Sequence, residues 1–153
     1  MAGVVPPAGE PAGDPERKPE QCQEASDGPL TQGSVGAGSG ASVGKPLGIQ
    51  RATKGGLGTA SYRLGDVVVA ALMVASPFGD VVDPSTCRLL AGPRGEDGHG
   101  MLSTSELMKQ GTFSPQVFPQ NTVIGVVATS ASLSKEQCNK LAQMAQDGIA
   151  RAV

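Results

Sequence analysis

Apolar residues along the chain gather into two short continuous runs and one periodic stretch. Val67 to Ala75, VVVAALMVA, has strand length; KGGLGTASYRL precedes it, and the turn signal Gly65-Asp66 joins the two. Together they predict an antiparallel hairpin. A break at Ser76-Pro77-Phe78-Gly79 and then Asp80-Val81-Val82-Asp83-Pro84 predict a short third segment. Val123 to Thr129, VIGVVAT, is apolar without alternation, which predicts a central strand covered on both faces. Ser134 then opens the clearest helix. Gln137 three residues on completes a capping box, Leu133 is placed to staple to Cys138, and apolar residues recur at Cys138, Leu141, Ala145, Ile149 and Ala152. The stripe continues past Gly148 to the last residue without a stop signal, so the chain is expected to be cut rather than finished.

The segments between are rich in turn formers. Residues 1–29 show no periodicity apart from a short helix expected at Pro19 to Ser26. In Gly33 to Gly48, GSVGAGSGASVGKPLG, the recurring glycine suits a backbone running close to another backbone or to a ligand. It is not a phosphate loop: the Walker pattern needs glycine where Ser39 stands and Ser or Thr where Pro46 stands. Residues 91–100 read as loop and Ser103 to Lys109 as a helical turn. Two prolines keep 111–120 irregular and exposed.

Composition narrows the function classes. A hydrophobic fraction of 39%, aromatics at 3%, no tryptophan, 22 glycines and 12 prolines allow one modest core, as in part of a domain. A net charge of -2 with scattered cations gives no footprint for nucleic acid or an anionic membrane, and neither is expected as a partner. No window approaches the roughly 18 apolar residues of a membrane span, and the first thirty residues lack a signal-peptide pattern, so a cytoplasmic protein is expected. Cys22, Cys87 and Cys138 are odd in number and far apart; the expectation is reduced thiols, with no metal site and no cofactor. His99 reads as a solvated loop histidine. Asp80 and Asp83 read as turn carboxylates, with an acid/base role as the alternative.

The strings VGAGSGASVGK, ATKGGLGTAS, FGDVVDP, NTVIGVVAT and KLAQMAQDGIARA, in this order, closely resemble the DmpA-type aminopeptidases, a family that includes L-aminopeptidase/D-esterase, beta-peptidyl aminopeptidases and nylon-oligomer hydrolases. The likeness runs from about Pro19 to Val153. It implies an α/β fold, part of a layered αββα sandwich of the DmpA/ornithine acetyltransferase type, with residues 1–18 a flexible tail and 19–153 a partial hydrolase domain. It also implies a precursor that cuts itself before a Ser or Thr opening a strand, here between Asn121 and Thr122. By the same resemblance the chain is the middle of a longer protein, acts on a small peptide or amide substrate, and forms a homo-oligomer when complete.

On its own, an Asn-Thr pair before a strand is a turn residue followed by a β-branched strand starter. With the resemblance, Thr122 becomes the nucleophile and Asn121 the residue cut from it. The freed α-amino group, with an ordinary pKa of roughly 7.7–8.0, then serves as base for its own hydroxyl. The resemblance places a lysine beside the nucleophile, either Lys45 or the rival Lys54, to depress that amine or steady an oxyanion. The amides of Gly55 and Gly56 are further candidate donors. Family members usually carry asparagine where Ser76 stands; a serine hydroxyl has one proton to donate where the amide has two, and losing an oxyanion donor typically costs about 2.7–4 kcal/mol. Two other readings stay open: a catalytically silent fragment or paralogue acting as an assembly piece, and an acyltransferase of the ornithine acetyltransferase type, against which Asn121 and FGDVVDP argue.

Overall fold

The computed structural model describes residues 28–113 and 121–153. The helix expected at Pro19 to Ser26 and most of the irregular stretch 111–120 lie outside them. The elements run β1 (Ser42–Val43), β2 (Thr53–Lys54), β3 (Gly56–Leu64), β4 (Val67–Ser76), β5 (Val81–Val82), β6 (Leu89–Ala91), α1 (Thr104–Lys109), β7 (Thr122–Thr129) and α2 (Lys135–Ala152). This is a mixed helix and sheet architecture, as an α/β class requires.

The hairpin forms as its sequence predicts. Leu64 pairs with Val67 across Gly65-Asp66, and the register continues without a break to Gly56 opposite Ala75. Gly65 has φ +58°, the left-handed value that the first position of a tight two-residue hairpin turn demands and glycine supplies without strain. β7 adds to the other side of β4, from Val69 opposite Thr129 to Ser76 opposite Thr122, giving the sheet order β3-β4-β7.

The central position therefore belongs to β4, and β7 is an edge strand among the described residues, not the strand covered on both faces that its apolar run predicts. Its burial alternates. Val123, Gly125, Val127 and Thr129 are half-buried, while Thr122, Ile124, Val126 and Ala128 are exposed, Val126 by 63%. A run apolar on both faces shows that two layers are wanted, but not that both are present, and the described residues supply one.

That one layer is α2. Its capping box is made: Ser134 Oγ accepts from the Gln137 amide at 3.3 Å, and the Ser134 amide donates to Gln137 Oε1 at 2.8 Å. The predicted stripe, Cys138, Leu141, Ala145, Ile149 and Ala152, is the half-buried side of the helix. An open apolar cleft of about 740 Å³ runs between helix and sheet, with Met73, Val123 and Val127 on one wall and Leu141, Met144 and Ile149 on the other.

The tightest packing lies beside the sheet, around the glycine-rich loop. Val43, Pro46 and Pro93 are the largest fully buried side chains, with Ala41 and Ala52 next to them in burial. Of the two uses open to this loop, the structure shows approach to backbone: Gly33 exchanges main-chain hydrogen bonds with Leu57, and a Cβ on Gly38 would lie 2.4 Å from the Leu57 nitrogen. The stretch read as loop at 91–100 begins inside β6, which pairs with β5, and its Gly92 and Pro93 are buried. No helix of the described residues is long and apolar enough to cross a membrane.

Exposed apolar strand faces drive association. The purified chain is expected to self-associate, and the pair Ile124→Lys and Val126→Lys to lower its weight-average mass in sedimentation velocity with far-UV dichroism unchanged. A mass that the two lysines leave unaltered would show that association runs through another surface.

Candidate active site

The register of one strand pair builds the site. Ser76 ends β4 and stands opposite Thr122, which begins β7, so the two residues share a face at the same end of the sheet. Beyond Ser76 the chain turns at the buried Pro77, and the glycine loop zips onto it: the Gly44 amide donates to the Gly79 carbonyl at 2.9 Å and the Lys45 amide to the Phe78 carbonyl at 2.8 Å. Gly44 makes this contact possible. Its φ is +73°, and a Cβ there would sit 2.3 Å from the Pro93 nitrogen, so a side chain would be both strained and blocked.

Lys45 enters from this loop and is only 4% exposed. Its Nζ donates to the Ser76 carbonyl at 2.8 Å and to Ser76 Oγ at 3.1 Å. Burial pushes its pKa below the ordinary 10.5, since desolvation disfavours the ammonium. Lys54, the rival, is the exposed residue of β2 and directs its Nζ to the Ser39 carbonyl at 3.4 Å. Three of the sequence candidates, Lys45, Ser76 and Thr122, are thus linked through Ser76, while Lys54 stands opposite Ser42 in the β1–β2 pair with its side chain bonded to Ser39. Asn121 is half-buried with its Oδ1 inside, and Thr122 is exposed. Of the two glycine amides considered as donors, that of Gly55 is committed to the Ala41 carbonyl at 3.0 Å.

Ser42 is the participant that sequence reasoning missed. Its amide donates to Ser76 Oγ at 3.2 Å, and its carbonyl accepts from the same hydroxyl at 3.3 Å. No side-chain pattern signals this role, because only the Ser42 main chain takes part.

Both carboxylates are structural. Asp80 accepts from the Thr104 amide at 2.7 Å and from the Thr104 hydroxyl, capping α1 where its own N-cap Ser103 makes no side-chain bond to the helix backbone. Asp83 accepts from the Ser85 hydroxyl and amide and from the Thr86 amide, and these bonds hold its carboxyl below the usual range. His99 is exposed in a turn, its amide bonded to Asp97. Cys87 and Cys138 are free thiols. Among the described residues no group of three His, Cys, Asp or Glu is arranged to hold a metal ion.

Comparison with known proteins gives a consistent picture. The family model of peptidase family S58 matches residues 8–153. The chain is 36% identical over 129 residues to an uncharacterized aminopeptidase of Mycobacterium leprae, an alignment covering 83% of this chain and 34% of that protein. It is 37% identical over 132 residues to an uncharacterized aminopeptidase of Mycobacterium tuberculosis, covering 79% and 35%. It is 30% identical over 136 residues to a 6-aminohexanoate-oligomer endohydrolase of Paenarthrobacter ureafaciens, covering 84% and 37%. The chain therefore spans about a third of the length of the curated relatives it matches.

The lowered Lys45 pKa fixes the sign of a pH effect. The unfolded chain holds this proton more tightly than the folded one, so stability from this group rises with pH between the lowered folded value and 10.5. Urea midpoints taken from pH 7 to 10 are expected to show wild type gaining on Lys45→Met as pH increases. Parallel pH profiles for the two proteins would mean that the lysine is not desolvated.

Proposed function

Because the chain belongs to peptidase family S58, we propose that it is the nucleophile-bearing part of a self-processing N-terminal-nucleophile hydrolase, an aminopeptidase or amidase acting on peptides or small amides. The observation that carries this reading is the pairing of Ser76 with Thr122, with the Lys45 ammonium held against Ser76. The names of the relatives, aminopeptidases and oligomer endohydrolases, support amide hydrolysis as the chemistry.

In the processing step, Thr122 Oγ adds to the Asn121 carbonyl carbon, the Asn121–Thr122 C–N bond breaks, and the hydroxyl proton ends on the departing nitrogen. The product is an ester. Water then hydrolyses it, leaving a carboxylate on Asn121 and both the hydroxyl and a free amine on Thr122. That amine accepts the hydroxyl proton when Thr122 attacks a substrate amide, so one residue supplies nucleophile and base. A nearby lysine cation favours the unprotonated amine and the negative charge that develops on the attacked carbonyl oxygen. The start of an edge strand suits the nucleophile: β7 fixes its backbone through the ladder to β4, while the exposed side chain meets substrate.

The layered αββα arrangement belongs to the same proposal. The exposed face bearing Ile124 and Val126, opposite the helix-covered face, is where a second sheet would pack, and the relatives are long enough to supply one.

Self-cleavage is the test. Intact-mass analysis is expected to yield products of residues 1–121 and 122–153 from wild type and Thr122→Ser, and only uncut chain from Thr122→Ala. A cut that begins elsewhere, or that persists in Thr122→Ala, would remove the assignment. An uncut wild type would favour the silent assembly piece.

A further inference from the structure

A serine hydroxyl has one proton to donate and two lone pairs to accept with. At Ser76 all three are engaged. The proton is directed at the Ser42 carbonyl at 3.3 Å, and the lone pairs accept from the Ser42 amide at 3.2 Å and from Lys45 Nζ at 3.1 Å. Ser42 therefore holds the hydroxyl in one orientation, donor toward itself and an acceptor toward the lysine. Donating to a reacting carbonyl would require breaking the bond to Ser42. The main-chain carbonyl of Ser76 adds a second acceptor for the same ammonium at 2.8 Å.

We propose that Ser76 is a positioning residue: locked by the Ser42 main chain, it presents two oxygens that fix the Lys45 ammonium beside Thr122, and it acts on the chemistry through that lysine. This rests on the functional reading above for what Lys45 does there, but the clamp itself is a property of the folded chain. The arrangement spans three segments: Ser42 on β1, Lys45 on the loop after it, and Ser76 at the end of β4. β1 and β4 are tied by the Ser42–Ser76 pair, so the hydroxyl also joins the glycine loop to the strand that holds Thr122 in register.

The experiment measures how reactive the lysine is. Acetylation of the whole chain with N-hydroxysuccinimide acetate is followed by peptide mass spectrometry, with exposed Lys54 as internal reference and every variant held equally far below its own unfolding midpoint. Loss of a hydrogen bond to a charged group should raise Lys45 labelling in Ser76→Ala by about tenfold or more relative to Lys54. Ser76→Thr keeps the hydroxyl and should label as wild type. Ser76→Cys keeps the shape with a weak acceptor, should label as Ser76→Ala does, and decides the matter if the alanine variant fails to fold. Lys45 labelling unchanged in the alanine and cysteine variants, or raised equally in the threonine variant, would overturn the proposal. Labelling reads the clamp whether or not the Asn121–Thr122 bond is cut, so failure of the clamp and failure of the processing reaction are told apart.

Discussion

A lysine that is only 4% exposed must find oxygen acceptors for its ammonium inside the protein, because desolvating a charge without partners costs several kcal/mol or more. Lys45 finds two on one residue, Ser76, and much of the local structure follows from that need. The glycine loop must approach β4 closely enough for the lysine to reach, which requires Gly44 in a left-handed conformation against Pro93. The loop is anchored by main-chain bonds to Phe78 and Gly79, just past the strand end. Since β7 pairs with β4 through Ser76, the same strand end that satisfies the lysine also positions Thr122.

The core explains how few large side chains can hold this together. The buried residues in and beside the glycine loop are Ala41, Val43, Pro46, Ala52 and Pro93, small or rigid residues that fill space with little side-chain entropy to lose. The sheet is the looser part, with one face half-covered by α2 and the other bearing exposed Ile124 and Val126. Burial is thus densest at the strand end that carries the candidate chemistry, while Ile124 and Val126 are exposed among the described residues.

Local signals in the sequence were legible where neighbouring residues decide the outcome. The β3–β4 hairpin follows from Gly65-Asp66 between two strand-like runs, and α2 follows from Ser134, Gln137 and a stripe at helical spacing. The rank of β7 within the sheet was not legible, because an apolar run records what the strand is built to contact, not which layers surround it. Lys45 was visible only as one of two lysines next to glycines; the choice between it and Lys54 depends on how the loop folds back on β4, a contact thirty-one residues apart in sequence. Ser42 was invisible, since its contribution is a main-chain amide and carbonyl. Asp80 was readable as a turn residue, but its capping of α1 from twenty-four residues away was not.

The candidate site depends on the register that sets Ser76 against Thr122, and cross-strand disulfide formation reads that register directly. In a background with Cys22, Cys87 and Cys138 replaced by serine, Ser76→Cys with Thr122→Cys should close an intramolecular disulfide under mild oxidation, because directly opposed strand residues fall within the Cα separation of about 4.4–6.8 Å that the bond needs and share a face. Ser76→Cys with Val123→Cys, one residue out of register, should stay reduced, since the two side chains then point to opposite faces. Bond formation in the second pair and not in the first would contradict the pairing, and with it the link from Thr122 through Ser76 to Lys45.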